Sequence, residues 1–241
     1  MGANAVTSVY DYTAGQILTA AQMDNVNCGV PVFATTTTRD AAFGGTGEKV
    51  LAEGQYAYIE STNATQYYDG ATWSNLTPGL TYLNTFTGTA TTAINCTSVF
   101  TSAFQNYRIL WTQTAAVGTG SFTMRLRSGG TDTTTNYACI RFYGNGSTTA
   151  STSNPSGTDD WFLGDTDGTT PYAAFSIDLF RPFDAAPTYI SALGIYNTIT
   201  PSITSLITSG QNTNATSYDG FSLITTGTSI TGKVRVYGYN D

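Results

Sequence analysis

The chain has no histidine. An ordinary Ser/His/Asp or Cys/His catalytic constellation is therefore excluded. Cysteine is nearly as scarce: Cys28, Cys96 and Cys139 are odd in number, far apart and without Cys-x-x-Cys spacing, which argues against a zinc site and a disulfide framework. Cys96 and Cys139 read instead as small buried hydrophobes on strands. Charge is sparse, at 10% of residues. The nine basic residues stand singly apart from Arg125/Arg127 and Lys233/Arg235, and the net charge is −7. No basic stripe exists to neutralise a phosphate backbone, so nucleic acid is not an expected partner. No apolar run approaches the ~20 residues of a membrane span, and Met1-Gly-Ala-Asn lacks the basic start and apolar core of a signal peptide. The expectation is a protein made in a cytoplasm, without membrane insertion, cofactor or metal.

What the chain has in abundance is Thr, Ser, Gly, Asn and Tyr, with 16 tyrosines in 241 residues. Thr and Tyr suit a pleated, half-exposed surface, while Gly, Asn and Ser supply turns. The composition predicts an all-β protein. Disorder is excluded by the aromatic content and the scattered Ile, Leu and Val.

Three regions follow along the chain. In residues 1–30, Thr19-Ala-Ala-Gln22 has the form of a capping box and predicts a short helix from about Ala20 to Asn27, ended by Cys28-Gly29 with Pro31 beyond. Leu18 staples onto Met23, and Met23 and Val26 share a face. So short a helix is marginal alone and must dock, on its own chain or in a larger assembly. The anchoring residues expected here are Tyr10, Tyr12, Ile17, Leu18, Met23 and Val26.

Residues 31–77 read as a small β-module. A short strand after Pro31 leads to a turn near Arg39-Asp40, then to a meander with corners at Glu53-Gly54 and Asp69-Gly70. In Gln55–Glu60, Tyr56 and Tyr58 share one face and Ala57 and Ile59 the other, which predicts burial on both sides. At roughly 45 residues with few aliphatic side chains, the module needs a neighbour or copies of itself.

Residues 78–241, beyond the Pro78-Gly79 hinge, give ten candidate strands: 81–87, 93–100, 107–114, 121–128, 137–143, 173–180, 189–197, 205–208, 221–225 and 233–239. Tyr107, Ile109 and Trp111 alternate onto one face, and Val234 and Val236 oppose Arg235, Tyr237 and Tyr239. No helix-length pattern intervenes, so the fold expected is an antiparallel β-sandwich of jelly-roll type. Arg125 and Arg127 share a face and are read as surface pairs of little worth.

The Arg39-Asp40-Ala41 turn, the Tyr58-Ile59 strand and Tyr68-Asp69-Gly70 followed by Trp73 resemble a β-module of tail-fibre and minor tail proteins of tailed bacteriophages. Ala14-Gly-Gln-Ile-Leu-Thr-Ala-Ala-Gln-Met23 is similar to their N-terminal segments. Phe104–Leu110, Thr123–Gly130 and Thr231–Tyr239 look like their C-terminal sandwich domains. The resemblance implies a non-enzymatic virion structural protein assembled in the host cytoplasm. It implies a homotrimeric short fibre or appendage, held to other tail or capsid proteins through its N-terminus. A capsid decoration or head-fibre protein is the alternative, and a carbohydrate-active enzyme or free lectin a further one. The missing histidine weighs against the enzyme, and the missing secretion signal against the lectin.

Recognition residues are expected in 144–171, the longest stretch without clear strand character, since long loops in compact domains are commonly functional. Asp159, Asp160, Asp165 and Asp167 can offer oxygen ligands, and Trp161 a stacking face for a host glycan. Asp165-Thr-Asp-Gly168 is only a fragment of a calcium loop. The other reading has the acids shaping turns and Trp161-Phe-Leu163 forming a core strand.

Overall fold

The computed structural model describes residues 6–19, 29–144, 149–166, 172–197 and 203–240, with backbone alone at 151–157. The protein is all-β and divides into two compact units, Met1–Pro78 and Gly79–Asp241.

In the first unit, strands β1 (Val32–Phe33), β2 (Tyr56–Ile59), β3 (Ala64–Tyr68) and β4 (Trp73–Asn75) form one sheet in that order. The β2–β3–β4 part is the expected antiparallel meander, while β1 lies parallel to β2. Where the sequence suggested a turn near Arg39-Asp40, a one-turn helix α1 (Thr36–Asp40) stands instead. Thr35 caps it: its hydroxyl accepts from the Thr38 N–H at 3.2 Å, and the Thr38 hydroxyl accepts from the Thr35 N–H at 3.0 Å. Phe33, Ala42, Ala57 and Ile59 form a small core, covered by Val6, Val9, Phe43 and Trp73. The Arg39 guanidinium lies 4.6 Å over the Trp73 ring and donates to Gln66 and Asp40. One face of β2 is buried as expected; the other is open, with Tyr56 exposed.

Residues 6–12 belong to this module. The Val6 N–H donates to Val32 O at 2.6 Å, the Lys49 N–H donates to Val9 O at 2.8 Å, and Tyr10 bridges to Glu48. The helix expected over 20–27 lies outside the described residues.

The second unit contains thirteen described strands: β5 (Leu80–Thr91), β6 (Ala93–Cys96), β7 (Asn106–Val117), β8 (Gly120–Ser128), β9 (Thr131–Asp132), β10 (Tyr137–Gly144), β11 (Thr149–Thr158), β12 (Trp161–Thr166), β13 (Ala173–Phe180), β14 (Thr188–Asn197), β15 (Ile203–Asn212), β16 (Gly220–Thr226) and β17 (Ser229–Tyr239). The larger sheet runs β11-β10-β15-β14-β13-β7-β17-β5, and the smaller β12-β8-β16-β6 with β9 beside β8.

Four pairs of successive strands, β5/β6, β7/β8, β12/β13 and β16/β17, each pass from one sheet to the other. They appear in the same lateral order in both sheets, 5-17-7-13 against 6-16-8-12. That shared order is jelly-roll wiring. Strands β14, β15, β10 and β11 widen the larger sheet beyond it. The β7/β8 and β16/β17 corners need glycine: Gly118 and Gly227 have φ of +88° and +81°. A Cβ on Gly120 would fall 1.7 Å from the Thr226 carbonyl oxygen.

The core lies between the sheets. Trp111, Phe122 and Phe175 form a stacked row with centroid spacings of 5.5 and 5.4 Å, and Ile109, Val234 and Val236 face inward beside them. Cys96 and Cys139 are buried free thiols, with burial raising the pKa of each. Buried polar bonds tie the layers together: Gln113 Nε2 donates to Thr166 Oγ1 at 2.8 Å, and Thr208 Oγ1 to the Phe162 carbonyl at 3.0 Å.

Two expectations are corrected. The stretch 144–171 is not a long loop, because Thr149–Thr158 and Trp161–Thr166 are strands. Arg127 makes no surface pair. It is buried, and its Nη1 donates to Asp132 Oδ1 at 2.5 Å, Ser222 Oγ at 2.6 Å and Asn95 Oδ1 at 3.0 Å. Strand β9 pairs antiparallel with the end of β8 and sets Asp132 directly opposite Arg127.

Candidate functional site

The residues expected to form a recognition loop do not converge on an open surface. Trp161 is fully buried. It points between the sheets because β12 alternates Trp161 and Leu163 inward, and its Nε1–H donates to the Gln211 carbonyl at 3.2 Å. A ring so placed cannot stack on a sugar. Asp159 and Asp160 share one cation: Arg125 Nη2 lies 2.6 Å from Asp159 Oδ2 and 3.5 Å from Asp160 Oδ2. Burial raises the Asp160 pKa and the Asp159 charge adds to this, while Arg125 opposes both. Asp165 sits apart on β12, where Ser121 Oγ lies 3.3 Å from its carboxylate, and burial raises its pKa also. Asp167 lies outside the described residues. Among the described residues no group of three or more acidic, Cys or His side chains is placed to hold a metal ion.

Of the expected anchor residues, Tyr10 and Tyr12 lie with ring centroids 6.2 Å apart. Ile17 is 92% exposed and Leu18 half-buried. Met23 and Val26 lie outside the described residues.

The larger sheet gathers a different set of residues on its outward face. Register places Tyr82 of β5, Tyr237 of β17, Arg108 of β7 and Asp178 of β13 in one row across four neighbouring strands. At about 4.8 Å between strands, the row is roughly 14 Å long. Each outward position follows from strand alternation: Tyr107 and Ile109 point into the core and leave Arg108 outside, and Ile177 and Leu179 do the same for Asp178.

Arg108 and Asp178 form a two-pronged pair, with Nε to Oδ1 at 2.9 Å and Nη2 to Oδ2 at 2.7 Å. The Tyr239 hydroxyl donates to Asp178 Oδ1 at 2.7 Å, and the guanidinium carbon lies 5.7 Å from the Tyr239 ring centroid. Burial alone pushes the Asp178 pKa up, but the hydrogen bonds from Arg108 and Tyr239 outweigh it and hold the carboxyl below its ordinary value. The same bond raises Arg108, and burial followed by the bond to Asp178 raises Tyr239. The cluster is an ionised, preset fork.

Aromatic rings surround it. Tyr82 meets Tyr237 edge-on at 5.8 Å and 66°, and Tyr82, Tyr189 and Phe180 are each 39–56% exposed. Tyrosine offers an apolar face and a polar tip at small conformational cost, and the guanidinium offers planar donors beside it. Stacking next to a charged hydrogen-bonding fork suits a polyhydroxylated ring. The sequence signal was partial. Alternation alone set Tyr237 and Tyr239 opposite Val234 and Val236, but nothing local linked them to Arg108 or Asp178.

No protein-family model, curated protein or solved structure matches this chain.

Proposed function

We propose that this chain is a non-enzymatic virion appendage protein of a tailed bacteriophage, homotrimeric and attached through its N-terminal region. Its jelly roll recognises a host-surface glycan through the outward row of Tyr82, Tyr237, Arg108 and Asp178, with Tyr239 beside it. The observation that carries the recognition role is the Arg108–Asp178–Tyr239 cluster, a preset charged fork ringed by exposed tyrosines on a rigid sheet. The virion context is supported by the fibre-like motifs at Arg39-Asp40-Ala41, Tyr68-Asp69-Gly70 and Ala14–Met23, together with jelly-roll wiring beyond a small separate β-module. Absence of histidine from the chain supports a binding role over catalysis.

Each head would bind weakly, and copies on one particle would multiply the effect by ~10²–10⁴ through linkage. The test is binding of the full chain to immobilised lipopolysaccharide O-chains and capsular polysaccharides of candidate hosts, with gold-labelled antibody locating the protein on particles. Saturable binding lost in Arg108→Lys, with label at the tail, is the expected result. Label on the head and no glycan binding would replace the fibre reading with a capsid decoration role.

A further inference from the structure

The outward face of the larger sheet changes character beyond β13. On β14, β15 and β10, six large apolar side chains point to solvent: Ile140, Phe142, Leu193, Ile195, Ile203 and Ile207, each 47–66% exposed. They form one patch. Register sets Phe142 beside Ile207 and Ile207 beside Leu193, so three strands contribute to a single row; Ile140 and Ile195 lie two residues along their strands from it and Ile203 four. No outward position of β14, β15 or β10 carries a charge. The one charged residue of these strands, Arg141, turns inward and lies 4.3 Å over the Phe162 ring. Beside Phe142 and Ile207 the surface dips into a cleft of about 470 Å³, also lined by Tyr143 and Ala150.

We infer that this face is where a second copy of the chain docks. Three points select a copy over another occupant. Six half-exposed side chains of this size amount to roughly 500 Å² of apolar surface. That is about what one partner brings to a standard interface of ~800 Å² per side when some 65% of it is apolar, as in homo-oligomers. Second, the chain carries a net charge of −7, so copies repel at a distance and can meet only where no carboxylate is brought against another. Third, around a symmetry axis every charge on a shared face meets its own kind or a fixed mate. A face that contacts itself is best left uncharged, and this one is, while the neighbouring β7/β13 zone keeps Arg108 and Asp178.

The inference rests on the self-association proposed above and adds where copies meet: a monomeric parent sinks both, whereas an oligomer unmoved by the variants sinks this one alone. It is tested by sedimentation equilibrium of the full chain at neutral pH over 1–100 µM (about the range of moderate homo-oligomers), with Ile207→Asp and, as a β-compatible second variant, the double change Leu193→Thr with Ile207→Thr. Both positions face water in the single chain, so circular dichroism and melting temperature should match the parent. The expected result is an oligomer whose association constant falls at least about tenfold in both variants while glycan binding per head is kept. A parent chain that is monomeric throughout, or an oligomer unmoved by either variant, overturns the proposal. In the second case the copies join elsewhere.

Discussion

The indole of Trp161 meets the ring of Tyr137 edge-on, with centroids 4.9 Å apart and planes at 88°, and neither side chain is exposed. The pair joins the two sheets, since Trp161 lies on β12 of the smaller and Tyr137 on β10 of the larger. Tyr137 is held in turn by the Leu126 N–H, which donates to its hydroxyl at 2.8 Å, and by its own bond to the Thr133 carbonyl at 3.1 Å. Trp161→Ala is expected to cost about 3–5 kcal/mol. In a domain of this size that lowers the melting temperature by roughly 6–20 °C. Differential scanning calorimetry checks it; a shift under 2 °C would mean that the ring is not in the core.

Arg127 gives a second stability test. Removing it leaves Asp132 half-buried without its cation, and breaking such a pair costs about 3–5 kcal/mol, whereas replacing both partners by apolar groups is often nearly neutral. Arg127→Met should therefore be much less stable than the double change Arg127→Met with Asp132→Leu. Urea unfolding of the two variants and the parent decides it. Equal losses would show that the pair is not coupled.

Acid should act in two directions. Asp178 has a folded pKa below its ordinary 3.8, so its contribution is complete at neutral pH and is lost as pH falls from about 3.8 through the folded value. Asp160 and Asp165 have folded values above 3.8, so the native state takes up their protons more readily than the unfolded chain. Through them, stability rises as pH drops from neutral towards 3.8. Asp178→Asn should flatten the loss below pH 3.8, and Asp165→Asn should flatten the gain above it. Melting temperatures measured from pH 7 to pH 2.5 distinguish the two slopes.

The recognition row predicts a separation of binding from folding. Tyr82→Ala and Tyr237→Ala remove partly exposed rings, so each should leave the melting temperature nearly unchanged. Each should weaken glycan binding about 3- to 10-fold per head if the ring stacks on the sugar. Arg108→Lys keeps the charge but loses the planar fork, and is expected to bind more weakly than either. Calorimetric titration with a binding polysaccharide fragment is the measurement. Unchanged affinity in all three variants would remove the row from the site.

Much of the fold was legible because the strand repeat of two is written locally. The bounds Ala173–Phe180 follow from the sequence, and alternation alone groups Tyr107, Ile109 and Trp111 on one face and Val234 and Val236 on another, the faces that the structure buries. Strand β11 was missed because Thr149–Thr158 is nearly all Ser, Thr, Gly and Asn and shows no apolar alternation. Strand β12 reads as a core strand from Trp161-Phe-Leu163, but its Asp and Gly neighbours read equally well as loop. Arg127 escapes a local reading for a related reason: alternation puts it outside the core, but the Asp132 partner that β9 sets opposite it is not encoded in β8.

By itself, then, the sequence determined an all-β chain, the alternating faces of strands such as β7 and β17 and the absence of histidine chemistry, since composition and period-two patterning act within a few residues. Only the tertiary structure decided which strands neighbour one another. Arg108 and Asp178 are 70 residues apart, and Asp178 and Tyr239 are 61 apart. Ladder hydrogen bonds join backbone groups that are alike in every residue, so they carry no local record of their partner. The register that builds the charged fork and the apolar face is set only when the whole core packs.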